Sequence, residues 1–425
     1  MNDIIFRPFD KQLNILNSQA RVKGAFAGKR GAKSETGAIQ SIIWQENKLT
    51  NRSFEIDPYC GLIVAPTYDM LNRLSWKKFN AYAKPFIKEQ TKSPKYIRWH
   101  DDSEVYGVSA DRPERMEGMK IDWVWVDEIF QVNEHTFLEL QARVADTMGF
   151  MLLTGSLGVQ YVNPRSHWVY KYFKENKHEG FECFEWATAD NPYFPREELT
   201  RLKNTLDKTT FDQMFTINWD VNSQNMVYSD FSDQNLIEDY KYNKSLPTFI
   251  AIDWGWTHPM ACLFFQYDQF TDTVYQFDEI VGSRIKIEDL YDTIMGRGYD
   301  IAGWCCDISG TQEREQTGIS NIQWFNAKPR NVRMRIRSTA ILYGVSIVRS
   351  YVKTVTGNVR YKLDYKKCPE TYKGIKRYRY PEDEGKSNAE LPVKQDDDAM
   401  DALRYFFVNF IDKALKDNQS ETIQL

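Results

Sequence analysis

Trp123-Val124-Trp125-Val126-Asp127-Glu128 decides the reading of this chain. Four large apolar residues run straight into two adjacent carboxylates. The apolar run fits a strand buried on both faces of a parallel sheet. The acids then emerge at the strand's C-terminal end, where open α/β sheets bind ligands. Side-by-side carboxylates repel each other, so an inert fold gains little from them. Nucleotide hydrolysis does use such a pair: one acid holds Mg²⁺ and the next polarises water. The simpler alternative is an ordinary strand followed by an acidic turn.

An upstream segment bears on that choice. Ala25-Phe26-Ala27-Gly28-Lys29-Arg30-Gly31-Ala32-Lys33-Ser34 reads as an apolar strand, a Gly-rich turn and Lys-Ser opening a helix. In a phosphate loop, glycines such as Gly28 and Gly31 let backbone N–H groups curl around phosphate oxygens. Arg30 lies within the turn, and a helix N-terminus faces the anion. Lys33 would reach the outer phosphates, and Ser34 would coordinate Mg²⁺ together with Asp127. The strict pattern G-x-x-x-x-G-K-[ST] is not met, because Ala27 and Ala32 stand where both glycines belong. The pairing carries the signal: loop first, acidic strand end later. A third element, Met151-Leu152-Leu153-Thr154-Gly155-Ser156, is another apolar strand ending in small residues. In P-loop motors such a strand lies beside the acidic one and senses the γ-phosphate, which gives Thr154, Gly155 and Ser156 a coupling role.

The chain's 425 residues suit two domains, and 42% hydrophobic content is enough for real cores. The six cysteines, at 60, 183, 262, 305, 306 and 368, form no C-x-x-C pair, and five histidines are few. That argues against structural zinc and for reduced thiols. No apolar stretch approaches the ~18–20 residues of a membrane span. The N-terminus lacks a signal-peptide pattern, so a cytosolic protein without a membrane partner is expected.

The net charge of −4 argues against a simple nucleic-acid-binding protein. The charge is uneven, however. Lys328 to Tyr380 holds fifteen Lys and Arg against two acids, Asp364 and Glu370. Tyr343, Tyr351, Tyr361, Tyr365, Tyr372, Tyr378 and Tyr380 interleave with them. Such a region fits a polyanion, with Arg377 and Arg379 as candidate DNA contacts.

Residues 1–220 alternate apolar strands with helical patterns, which predicts a wound, mostly parallel sheet with some antiparallel additions. Gly61–Thr67 reads as a buried strand, Asp69 to about Ile87 as a helix, and Tyr96–Trp99 with Glu104–Val108 as a hairpin pair. Residues 221–247 are polar and rich in Asn, Ser and Asp, the composition of a linker. A second domain is expected over 248–412 and a frayed tail over 413–425.

That second domain carries its own acids. Thr248-Phe249-Ile250-Ala251-Ile252-Asp253 ends an apolar strand in a carboxylate. Ala261–Tyr267 and Val274–Val281 follow as an antiparallel meander, and Ile301–Asp307 is another strand ending in an acid. Asp396-Asp397-Asp398-Ala399-Met400-Asp401 then opens an apolar helix. Asp397 and Asp401 are i, i+4, and Asp398 and Asp401 are i, i+3, so either pair shares a face. An acid on a first strand, on a later strand and on a last helix is the layout of a ribonuclease-H-like nuclease. Clustered hard oxygen donors suit two Mg²⁺ or Mn²⁺ ions. Capping accounts for one or two of the helix acids, but not for Asp401 within an apolar helix.

Taken together, these motifs resemble the large terminase subunit of tailed double-stranded DNA phages over roughly residues 20–410. The block Asp397-Asp398-Ala399-Met400-Asp401-Ala402-Leu403-Arg404-Tyr405 is the most specific part. Many members carry a His where Asp398 stands, which leaves open which helix acid binds metal. The resemblance implies an α/β fold with an N-terminal P-loop ATPase and a C-terminal ribonuclease-H-like nuclease. It implies a packaging motor that hydrolyses ATP with Mg²⁺ to move double-stranded DNA into a procapsid through the portal. It further implies a two-metal endonuclease that cuts concatemers. Glu128 would be catalytic in the first site. Asp253, Asp307 and Asp401, with Asp397 or Asp398, would hold metal in the second. The implied partners are the portal protein, the small terminase subunit and further copies in a ring, in the host cytoplasm. A neighbouring copy would supply an arginine, for which Arg112 and Arg115 are candidates and Arg143 a weaker one. The competing readings are a repair helicase–nuclease, which lacks support because no second ATPase lobe is apparent, and a non-catalytic DNA-binding scaffold.

Overall fold

The computed structural model describes residues 6–50, 58–112, 118–158, 161, 164–175, 178–220, 225–313, 318–328, 332–381, 391–395 and 397–412. The chain divides into two compact units, Met1–Leu199 with Asp212–Val221, and Thr200–Phe211 with Asn222–Leu425.

The first unit is built on eight strands: β1 (Val22–Ala27), β2 (Cys60–Ala65), β3 (Ile87–Thr91), β4 (Lys95–Trp99), β5 (Glu104–Ser109), β6 (Trp123–Val126), β7 (Phe150–Gly155) and β8 (Phe181–Trp186). They form one sheet in the order β3-β4-β5-β2-β6-β7-β1-β8. From β5 to β8 every neighbour is parallel, while β3 and β4 add on antiparallel. β6 is fully buried, and its period-2 alternation divides it cleanly. Trp123 and Trp125 enter the core on one face, and Val124 and Val126 the core on the other. Trp125 lies against the helix Lys33–Asn47 at Gly37, where a Cβ would come within 2.2 Å of the indole. Only glycine admits that approach.

The helix expected after β2 is interrupted. Tyr68–Met70 passes through a π-turn, Leu71–Ser75, before the α-helix Trp76–Ala83. Such turns insert an extra residue and are frequent at functional sites.

The second unit holds β9 (Leu236–Ile237), β10 (Thr248–Asp253), β11 (Met260–Asp268), β12 (Thr273–Gly282), β13 (Ile301–Cys306), β14 (Met334–Arg335) and β15 (Tyr361–Asp364), in the order β14-β13-β10-β11-β12-β15-β9. β10, β11 and β12 form the expected antiparallel meander, and β13 and β14 continue in parallel from β10. That run, β12-β11-β10-β13-β14, is a ribonuclease-H-like order. The helix Asp398–Phe406 crosses this sheet. Phe406 stacks on Phe265 of β11 with centroids 3.9 Å apart and planes 8° from parallel. This packing fixes the helix's first turn relative to the strand ends.

Two expected boundaries differ from the structure. Thr200–Phe211 was expected in the first domain but clusters with the second unit. Its backbone is tied there: Val355 N–H donates to Leu206 C=O at 3.0 Å, and Asp207 bridges Thr354. The segment expected to be a linker, 221–247, contributes β9, which pairs with β15. Asn235 is fully buried, and its amide donates to the carbonyls of Val352 and Tyr361 at 3.0 Å each. That one buried amide serves backbone groups, while most other polar residues of the segment are exposed. The expected tail, 413–425, lies outside the described residues.

Candidate functional sites

The first site forms where β1, β6 and β7 end. β7 lies between the other two, with Phe26 of β1 opposite Gly155 and Val126 of β6 opposite Leu153. The turn after β1 is tightly held. A Cβ at Gly28 would stand 2.3 Å from the Thr188 hydroxyl and 2.4 Å from the Phe215 carbonyl. Gly31 N–H closes the turn on Gly28 C=O at 2.9 Å. Ala32 adopts φ +62° and Arg30 φ +65°, both left-handed. The loop therefore takes the glycine-favouring conformation without glycine at position 32, at a cost of roughly 1–2 kcal/mol.

The side chains converge as the loop requires. Lys33 Nζ is buried and donates to the carbonyls of Ala27 and Gly28 at 3.2 Å each, and to Ser156 Oγ. Burial holds its pKa below the ordinary lysine value, against the pull of Glu128 and Asp127. Asp127 is the hub. Its Oδ2 accepts from Ser34 Oγ at 3.2 Å and from Ser75 Oγ at 2.8 Å, and its Oδ1 accepts from Thr154 Oγ1 at 2.7 Å. Glu128 stands next to it in the left-handed region, at φ +54°. Such strain in a non-glycine residue clusters at working sites. Burial first, and then the Asp127 charge, raises the Glu128 carboxyl above the usual range.

A cavity of about 700 Å³ opens on these groups, lined by Lys29, Arg30, Lys33, Ser34 and Glu128 on the loop side. Beside it lies a smaller space of about 430 Å³, walled in part by Phe6, Arg7, Gln12, Tyr82 and Tyr193. Gln12 donates to Ala32 C=O at 3.3 Å and Thr36 Oγ1 at 3.0 Å, clamping the loop from below. Sequence reasoning missed Gln12 and Ser75, because both sit in ordinary-looking helices without a motif. Arg112 follows β5 in an exposed turn and does not line the larger cavity. Arg115 lies outside the described residues. Arg143 closes the helix Glu134–Arg143 and pairs with Glu139 at 3.8 Å.

The second site gathers acids at the ends of β10 and β13. Asp253 ends β10, and Asp307 caps the short 3₁₀ turn after β13, accepting from Ser309 N–H at 3.0 Å. Asp397 and Asp398 open the crossing helix, and Asp401 lies within its first turn. Asp396 lies outside the described residues. Burial, reinforced by the charges of Asp401, Asp307, Asp398 and Asp397, pushes the Asp253 carboxyl up to about 9. The acids from two strands and one helix therefore share one electrostatic neighbourhood. They do not form a closed cage: among the described residues, no three His, Cys, Asp or Glu side chains are grouped to hold a metal ion. One reason is visible at Asp401, whose Oδ1 accepts from the buried Arg404 at 2.7 Å. The donor chemistry nevertheless suits a hard cation. Asp307 Oδ1 is buried without a hydrogen-bond partner, and a carboxylate oxygen so placed lacks a counter-charge.

The basic region divides in two. Tyr351, Tyr361, Tyr378 and Tyr380 are core residues, not exposed aromatics. Arg337 pairs with Asp412 at 2.6 Å, Arg360 pairs with Asp272 at 2.7 Å, and Arg349 donates to Val227 C=O at 2.6 Å. These residues hold the second unit together. Arg377 and Arg379, by contrast, are exposed at the end of the helix Pro369–Arg377.

A phosphate-loop sheet in one unit and a ribonuclease-H-like sheet in the other define a class of two-unit α/β proteins. Within it, the fold is that of the phage large terminases. No family model matches the chain. The large terminase of a thermophilic bacteriophage superimposes with a TM-score of 0.61 at 15% identity, over 94% of this chain and 98% of that one. The complex of that same terminase with ATP-γ-S gives a TM-score of 0.60 at 15% identity, over 95% and 100%. In sequence, the chain is 23% identical over 237 residues to the large terminase subunit of Escherichia phage T5, covering 51% of this chain and 52% of that protein. It is 24% identical over 190 residues to that of Thermus virus P23-45, covering 40% and 36%. The chain thus matches about half or less of the length of these relatives.

Proposed function

We propose that this chain is the ATP-hydrolysing, DNA-cutting subunit of a phage DNA-packaging motor. The observation that carries the reading is the meeting of Lys33, Ser34 and Glu128 at one cavity, with the buried Asp127 accepting from Ser34 Oγ, from strand ends far apart in sequence. Lys33 compensates phosphate charge, and the loop's N–H groups and helix N-terminus orient the anion. Ser34 and Asp127 are the residues that would hold Mg²⁺. Glu128, with its pKa raised, takes the proton of the attacking water. The smaller neighbouring space, with its aromatic and glutamine walls, accommodates the base.

In the second unit, Asp253, Asp307 and Asp401, with Asp397 or Asp398, would hold Mg²⁺ or Mn²⁺. Such ions supply activated water and stabilise the leaving oxygen. The protein's own part is to gather carboxylates that repel one another, so that cations are taken up where the DNA strand is cut. Double-stranded DNA, the portal, the procapsid, the small terminase subunit and a ring of copies complete the reading, drawn from the resemblance. Among the described residues, no helix is long and apolar enough to cross a membrane. The test is separability. Lys33→Ala should abolish DNA-stimulated ATPase activity and spare metal-dependent cutting, and Asp253→Asn should do the reverse. Loss of both activities in either variant would contradict two independent sites.

A further inference from the structure

The larger cavity has a wall that the phosphate-loop reading does not use. Opposite the loop, the π-turn Leu71–Ser75 and the helix Trp76–Ala83 present Arg73, Lys77 and Lys78 to the same space. With Lys29, Arg30 and Lys33 this makes six cations against two carboxylates, Glu35 and Glu128, among the lining residues. An excess of that kind suits a polyanion.

The wall is fastened to the site. Ser75 is buried at the end of the π-turn, and its hydroxyl donates to Asp127 Oδ2, the oxygen that also accepts from Ser34. One carboxylate oxygen therefore joins the phosphate loop to the facing helix. The extra residue of the π-turn lets Ser75 point inward while Arg73 and Leu74 stay at the cavity's edge. Lys78 is already engaged by Glu35. Arg73 pairs with Asp69, but both side chains are about two-thirds exposed, at 66% and 65%. An exposed i, i+4 pair contributes little, so it yields readily to a more strongly charged anion. Lys77 is exposed one helical turn beyond Arg73.

We propose that Arg73 and Lys77 contact the terminal phosphate of bound ATP from within the same chain, as a second cationic wall fixed by the Ser75–Asp127 hydrogen bond. This rests on the reading of the cavity as an ATP site. It gives the site a cis arginine, in addition to any arginine from a neighbouring copy. Because the γ-phosphate is the group that ATP has and ADP lacks, the wall distinguishes the two.

The test is equilibrium binding of ATP and ADP, each with Mg²⁺, to the full chain and to Arg73→Ala, Lys77→Ala and the double variant. ATP affinity should fall about tenfold for each single change, the size of a lost charge-assisted contact. ADP affinity should change by less than about twofold, and Arg73→Lys should recover part of the loss. Equal losses for ATP and ADP, or none, would overturn the proposal. Wild-type protein that binds neither nucleotide would instead overturn the reading on which it rests. Both residues are exposed, so unchanged melting temperatures are expected, and a variant that melts early is replaced by Arg73→Gln or Lys77→Gln.

Discussion

Lys33 and Ser156 are hydrogen-bonded across the mouth of the phosphate loop, so the loop's cation is docked on the last residues of the β7 segment. Ser156 in turn donates to Ala27 C=O at 2.8 Å, which closes a small ring of β1, loop and β7. Whatever draws the lysine toward a phosphate must loosen its hold on β7. That is a physical route from nucleotide occupancy to the sheet.

The first prediction separates the lysine from the neighbouring acid. Lys33→Ala should weaken nucleotide binding at least about tenfold, because it removes a buried charge aimed at the phosphates. Glu128→Gln should bind ATP normally and turn it over about 10²–10⁴-fold more slowly, because only proton acceptance is lost. Affinity and single-turnover rate, measured separately, check both. Wild-type turnover in Glu128→Gln would remove Glu128 from the mechanism.

Where the sequence was informative, it was because burial and charge left few choices. A Trp-Val-Trp-Val run cannot sit on a surface, and it was read as a buried strand of a parallel sheet, as β6 is. Acids at strand ends were legible for the same reason at Asp127, Asp253 and Asp307. The missed parts are those in which polar residues face inward. Ser75 fell within a stretch read simply as a helix, since a π-turn leaves no signature in hydrophobic spacing. Asn235 fell in a stretch read as a linker, yet it is buried and its amide is satisfied by backbone carbonyls. Tyrosines among arginines suggested DNA, but Tyr361 donates to Gln276 inside the core at 2.6 Å. Arg404 was quoted only as part of a motif, while in the structure it is the counter-charge of Asp401.

Lys23 makes the stability of the first unit depend on pH. It is buried in β1, donates to Ile15 C=O at 2.9 Å and Gln40 Oε1 at 3.2 Å, and lies 5.3 Å from the centre of the Trp44 ring. Burial lowers its pKa to about 8, with Glu182 opposing. Between about 8 and the ordinary value of 10.5 the unfolded chain therefore binds more protons than the folded one. The Lys23 contribution to stability accordingly rises with pH through that window, and its full charging cost is felt below it. Lys23→Met removes the dependence. The stability difference between variant and wild type should shift in favour of wild type, by on the order of 2–3 kcal/mol, from pH ~7.5 to ~10. Chemical denaturation at both values is the measurement, and a constant difference would show that Lys23 does not titrate there.

Arg377 and Arg379 are among the exposed cations of the basic region, whereas Arg337 and Arg360 are half-buried in ion pairs. Reversing both to Glu should weaken binding to unrelated duplexes by similar factors, about tenfold at ~0.1 M salt. It should also reduce the slope of log affinity against log salt by about one to two, as expected for lost phosphate contacts. A loss confined to one sequence would mean base recognition instead, and no loss would place the DNA elsewhere.

The last prediction concerns the acids held together around Asp253. Carboxylates on two strand ends and one helix are brought together by the packing of Phe406 on Phe265, which is apolar and does not depend on charge. Their repulsion therefore acts as a standing cost on the second unit, only partly relieved by Arg404 at Asp401. Asp253→Asn keeps the shape and removes a carboxyl whose ionisation burial and the neighbouring acids oppose. Without divalent metal, the variant should melt a few degrees higher than wild type, the scale of about 1 kcal/mol. Mn²⁺ should raise the wild-type melting temperature through linkage and leave the variant nearly unchanged. DNA cutting should be lost, while ATP turnover, whose residues lie in the other unit, should persist. If Mn²⁺ stabilises Asp253→Asn as much as wild type, the cation binds somewhere other than at these acids, and the cutting site must be sought away from the end of β10.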